Sequence, residues 1–148
     1  MYRMTEEDER TIDKILEKFD SVSSVSLSQS DLEFLPQKIE KDWGYEIIRV
    51  NNKQEDYCSK ILYIEKDRST SMHYHVNKHE SFYVRKGTLC VNLIDTSTTD
   101  TNIIILEEGD CMEIPRYQPH QLSSVDGAVE FDETSTYSSD DDSLRIWR

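Results

Sequence analysis

From Trp43 onward the chain is written in short runs of β-favouring residues separated by turn residues, and this rhythm constrains the fold more than any other feature. The runs cover residues 45–50, 57–65, 81–85, 88–95, 102–106, 111–114 and 128–132. Their spacing suits a sandwich or barrel rather than alternating β and α units. Within 88–95, Leu89, Val91 and Leu93 alternate onto one face, which predicts a half-buried strand. Lys86-Gly87 and Glu108-Gly109-Asp110 fall between apolar runs, where a tight turn needs a residue tolerant of positive φ. The expected fold is all-β.

Ahead of these strands the pattern differs. Residues 5–20 place Ile12, Ile15, Leu16 and Phe19 at helical spacing, with Thr5 and Asp8 set as a capping box, so an amphipathic helix is predicted. Its apolar stripe needs a partner surface. Residues 21–30 are rich in Ser and Val without helical period and read as a linker or a loosely attached strand. A length of 148 residues suits one compact core. The expected organisation is a helix and linker over 1–40 and one β-domain over 41–148.

Charge and composition exclude several partners. A formal net charge of −13 repels phosphate backbones and acidic lipid surfaces, and no Lys/Arg cluster offsets it, so nucleic acid is not an expected partner. No run approaches the roughly twenty consecutive apolar residues of a membrane span, so no membrane association is expected. The start, Met1 to Asp8, lacks the apolar stretch of a secretory signal, and a cytoplasmic setting is expected. Cys58, Cys90 and Cys111 are odd in number and widely separated, and read as reduced, mostly core thiols. The acidic stretches 6–9 and 140–142 read as solvated.

The segment richest in chemistry is His73-Tyr74-His75-Val76-Asn77-Lys78-His79-Glu80. Side chains two apart on a strand share a face, so His73 and His75 can converge on one ion, and a turn can bring Glu80 back beside them. Imidazole nitrogen and carboxylate oxygen together suit borderline metals such as Zn, Fe, Mn, Ni and Co, and leave positions open for water or substrate. Parity places Phe82 and Val84 inward with Glu80, and Ser81, Tyr83 and Arg85 outward. It turns His79 to the opposite face, away from any ligand role.

These residues match both sequence motifs of the cupin superfamily, which the chain resembles over roughly 43–145. His73, His75, Glu80 and Gly87 meet the first motif, H-x-H, four residues, E, six residues, G. Gly109, Pro115 and His120 meet the second, G, five residues, P, then a downstream H. The chain departs from the family at three glycine or asparagine positions, which hold Asp67, Tyr117 and Ser124. The resemblance implies a double-stranded β-helix, or jelly-roll barrel, and one divalent metal ion bound by His73, His75, Glu80 and His120.

Within the superfamily the chain is similar to the cupin module of type II phosphomannose isomerases. Trp43-Gly44 stands ahead of the first barrel strand, Pro119-His120 matches their Pro-His ligand, and Tyr137, Asp140, Asp141, Asp142 and Arg145 resemble their closing acidic segment. Gln121 stands where those relatives usually carry a basic residue. The resemblance implies a metal-dependent isomerase of a sugar or sugar phosphate, with Lys60, Arg116 and Tyr117 as substrate-binding candidates and Arg145 as a further phosphate contact. The same ligand set also serves Fe(II) dioxygenases and lyases of small carboxylates, and a non-catalytic metal-binding cupin is a third reading. No catalytic base is identified: Glu113, Tyr63 and Tyr117 lie near motif strands but are expected at the surface or in the core. A homodimer is expected, because cupin barrels commonly pair through sheet edges.

Overall fold

A computed structural model describes residues 3–21 and 36–148, with side chains described except for those of 19–21. The expected linker at 21–30 and the side chain of Phe19 therefore lie outside the described residues, apart from the backbone of Ser21. The chain divides into two units, Met1–Glu33 and Phe34–Arg148.

The first unit carries α1, Glu6–Ser21. Its start is the expected reciprocal cap: the Thr5 amide donates to Asp8 Oδ2 at 2.7 Å and the Asp8 amide donates to Thr5 Oγ1 at 3.2 Å. Those bonds satisfy amides that the first helical turn leaves unpaired. Ile12, Ile15 and Leu16 are exposed.

Among its described residues the second unit holds eleven strands in two antiparallel sheets. They are β1 (Gln37–Lys41), β2 (Gly44–Asn52), β3 (Tyr57–Ile64), β4 (Met72–Tyr74), β5 (Glu80–Lys86), β6 (Leu89–Ile94), β7 (Thr101–Leu106), β8 (Cys111–Ile114), β9 (His120–Ser124), β10 (Val129–Ser135) and β11 (Leu144–Trp147). One sheet has the order β1-β2-β3-β10-β5-β8 and the other β11-β4-β9-β6-β7. All seven expected strands are present. Strands β1, β4, β9 and β11 add to them, and β1 starts ahead of residue 41. Residues 37–41, Gln-Lys-Ile-Glu-Lys, form an edge strand exposed on both faces except for Ile39, so they carry no hydrophobic alternation to read.

Alternation builds the interior. On β3 the inward residues are Cys58, Lys60, Leu62 and Ile64; on β10 they are Val129, Phe131, Glu133 and Ser135; on β5 they are Glu80, Phe82 and Val84. Each inner face is thus apolar at one end and polar at the other. The apolar ends join Leu89, Val91, Leu106, Ile114 and Leu122 in one buried core, which removes apolar surface from water at about 25 cal/mol per Å². The polar ends leave a cavity. The inward positions of Phe82 and Val84, and the burial of Leu89 and Val91, agree with the sequence parity.

Gly87 makes the turn between β5 and β6 with φ +83°, and a Cβ there would lie 2.4 Å from Ala128 O, so the position needs glycine twice over. Gly109, at φ +88°, makes the turn between β7 and β8. The three thiols are free, but only Cys58 is buried; Cys90 is half-buried and Cys111 exposed. The expectation of mostly core thiols fails because Cys111 falls on the outward parity of an edge strand, β8. No helix among the described residues is long and apolar enough to cross a membrane.

Candidate metal centre

Strand pairing brings the histidines together. His73 on β4 stands directly opposite His120 on β9, and His75 follows the end of β4. The ring centroids of His73 lie 4.5 Å from His120 and 4.9 Å from His75. One ring nitrogen from each of the three lies within 4.8 Å of the others, a group that could hold a metal ion.

Each ring is held by a backbone carbonyl. Nδ1 of His73 lies 2.8 Å from Ser71 O, Nδ1 of His75 2.9 Å from Asp142 O, and Nδ1 of His120 2.9 Å from Gln118 O. A carbonyl can only accept, so these bonds place the proton on Nδ1 and leave the Nε2 lone pairs free. Burial, then the neighbouring His120, pushes His73 down to about 3. Burial and the Lys78 ammonium push His75 down to about 4. Both rings are therefore neutral near pH 7, the state a metal ligand needs.

Glu80 enters from β5. Its Oε1 lies 2.7 Å from His120 Nε2 and 3.7 Å from His75 Nε2. Burial works against its charge, but the Lys78 ammonium holds the carboxyl well below the ordinary carboxylate range. Adjacent ligands on an ion with bonds of about 2.1 Å are roughly 3.0–3.4 Å apart, and the Glu80 separations bracket that span. His75 Nε2 is buried without a hydrogen-bond partner among the described residues. A lone pair and a carboxylate oxygen facing each other need a cation between them, so the donor set fits a divalent ion.

The histidines and Glu80 line a cavity of about 590 Å³, within the roughly 300–1,000 Å³ of small-ligand sites. Trp43, Leu62 and Leu122 are its apolar lining; the rest is polar, including Lys60, Glu46, Glu133, Thr70 and several serines. Lys78, itself buried, places its ammonium 2.8 Å from Glu80 Oε2 and 3.3 Å from Glu133 Oε1. Burial pushes the Glu133 carboxyl up.

Of the substrate-binding candidates, Lys60 lines the cavity, whereas Arg116 and Tyr117 do not. Arg116 donates from Nε to Asn77 O at 2.8 Å, and Tyr117 is 61% exposed. Both sit on the turn after β8, where nearness to the motif in sequence does not become nearness to the cavity. Arg145 lines the cavity and pairs in register with His73. Glu113 faces outward beside His79, Tyr63 stacks on Tyr45, and neither lines the cavity. His79 thus lies outside the imidazole cluster.

Asp142 corrects the reading of the acidic tail as solvated. It is buried, and its carboxylate accepts hydrogen bonds from the amides of Val76, Asn77 and Lys78 at 2.9, 3.0 and 2.8 Å. Burial opposes its charge, yet those amides hold its carboxyl below its ordinary value. An acidic run in sequence does not distinguish which member turns inward. Lys78, Glu133 and Glu46 were also missed, although Glu133 lies two residues beyond Phe131, which is the inward parity.

Residues 61–131 match the cupin domain family. Staphylococcus aureus CapF, a capsular polysaccharide assembling protein, has the same fold with a TM-score of 0.70 at 14% identity, over 93% of this chain and 40% of that one. Bacillus subtilis oxalate decarboxylase OxdC gives 0.66 at 20% identity, over 84% and 33%. The oxalate decarboxylase of Lactobacillus farciminis, in a formate complex, gives 0.62 at 16%, over 74% and 33%. This chain spans between about a third and two fifths of those proteins. No curated protein matches it in sequence. The family match and the two antiparallel sheets identify residues 61–131 as a cupin domain.

Proposed function

We propose that this protein is a metal-dependent cupin enzyme in which His73, His75, His120 and Glu80 hold one divalent transition-metal ion, and that it isomerises a sugar-like substrate. The carrying observation is the set of three imidazoles, each fixed through Nδ1 to a carbonyl, converging beside a buried carboxylate in a cavity. When bound, the ion supplies Lewis acidity toward substrate oxygens. The chain's own residues orient the rings, keep Glu80 ionised through Lys78, and surround the substrate with hydroxyl, carboxyl and ammonium groups. That lining, in a cavity of about 590 Å³, favours a hydroxyl-rich molecule of sugar size, in keeping with the resemblance to phosphomannose isomerases.

A second reading is a lyase or oxygenase of a small carboxylate. It draws on the fold shared with oxalate decarboxylases, one of which has Mn(II) centres. Purified protein should carry metal at about one ion per chain, and His75→Ala should lose most of it, since a lost ligand weakens binding sharply. An unchanged metal-to-protein ratio would falsify the ligand assignment. Isomerisation without oxygen uptake supports the first reading, whereas turnover that consumes oxygen or releases carbon dioxide supports the second. A homodimer paired through a sheet edge is also proposed; sedimentation should show mass that grows with concentration toward twice the chain mass, and a constant monomer would refute it.

A further inference from the structure

A row of alternating charges crosses the inner face of the six-stranded sheet, from the proposed metal ligand into the cavity. Glu80 contacts Lys78, Lys78 contacts Glu133, and Lys60 stands beyond Glu133 with Glu46 on its far side. Glu133 and Lys60 are register partners on β10 and β3, and both are inward, buried residues that line the cavity. The row is tight at one end and loose at the other. Lys78 reaches its carboxylates at 2.8 and 3.3 Å, but Lys60 Nζ lies 4.0 Å from Glu133 Oε2 and 3.5 Å from Glu46 Oε1. Those exceed the usual span of a hydrogen bond, about 2.7–3.2 Å. Among the described residues Lys60 donates one hydrogen bond at 3.2 Å, to Ser138 Oγ, of the three protons an ammonium carries. Glu133 Oε2 is buried with no hydrogen-bond partner among the described residues.

We infer that Lys60 and Glu133 form a hydroxyl-reading subsite that binds a neutral, polyhydroxylated substrate at a carbon removed from the histidine cluster. This inference rests on the metal-centre reading and adds the substrate class. A hydroxyl oxygen between the two can accept from the ammonium while its proton goes to Glu133 Oε2, satisfying both groups at once. A substrate carboxylate or phosphate cannot do the same: it would gain Lys60 but face Glu133 and Glu46, two carboxylates it cannot hydrogen-bond without a proton. The subsite therefore selects an alcohol over an anion by charge and by hydrogen-bond complementarity.

The test uses the full chain, metal-loaded, as wild type, Glu133→Gln and Lys60→Met. The metal-to-protein ratio of each sample is measured first, and each is then titrated by calorimetry with D-glucose, D-fructose and sorbitol, and with oxalate and malonate. Glu133→Gln keeps the side-chain volume, so it carries the test if Lys60→Met does not fold. We expect at least one polyhydroxylated probe to bind the wild type and to bind at least tenfold more weakly to the variants, with the metal ratio unchanged. Binding of the dicarboxylates alone, binding of none of the probes, or polyol affinity indifferent to both substitutions would overturn the subsite. A wild type that holds no metal would overturn the metal centre instead. Polyol binding in that metal-free protein, and its loss in Glu133→Gln, would still report on Lys60 and Glu133.

Discussion

Tyr117 has φ 66° and Asp67 φ 59°, the left-handed region in which an L side chain crowds its own backbone. Both occupy positions where the cupin motifs carry glycine, so the chain keeps the backbone path and tolerates the side chains. Left-handed backbone disfavours ordinary residues by roughly 1–2 kcal/mol, and Asp less than most; added unfolded-state freedom returns part of that on substitution by glycine. Tyr117→Gly is therefore expected to stabilise the protein by about 0.5–1 kcal/mol, seen as a higher urea midpoint with unchanged slope. Asp142 works in the other direction. Asp142→Ala strands three amides and should destabilise by about 1–3 kcal/mol. Because the folded protein depresses this carboxyl, its contribution is fully present above the ordinary value of 3.8 and is lost as pH falls below it. The stability gap between wild type and Asp142→Asn should accordingly shrink on acidification through that range, and a gap independent of pH would refute the role.

At the scale of elements, the site exists because strands β3, β5, β9 and β10 each turn from apolar to polar along one inner face. Strand β11 pairs with β4, and Asp142, just before it, ties down the amides that follow His75. The closing segment thus positions one imidazole through a carbonyl and the next residues through a carboxylate. The β5–β6 turn is equally specific. A Cβ at Gly87 would meet the Ala128 carbonyl, which is backbone and cannot swing away. Gly87→Ala is expected to destabilise by about 1–3 kcal/mol, read from thermal or denaturant unfolding. By contrast, a glycine-to-alanine change at Gly109, where nothing lies within 4 Å, meets only the left-handed backbone penalty and should cost less.

Across the whole molecule, a metal ion that binds only the folded state adds stability by mass action, about 2.7 kcal/mol at a hundred times its dissociation constant. Excess divalent metal should raise the melting temperature of chelator-stripped wild type, and the rise should be small or absent in His75→Ala. An equal rise in both would place the ion elsewhere.

The strand rhythm after Trp43, the turns at Gly87 and Gly109, the capped helix and the spacing of His73, His75, Glu80 and His120 could all be read from local pattern, because alternation, turn chemistry and motif spacing are properties of neighbouring residues. Strands β1 and β11 could not, since short, exposed edge strands carry little alternation. Which charged residues turn inward was decided only by sheet pairing: register sets Glu133 beside Lys60, and the returning tail buries Asp142 under the amides after His75. Those contacts join residues far apart in the chain, and the free energy that selects them comes from desolvation and hydrogen bonding between the two sheets, which no local stretch of sequence expresses.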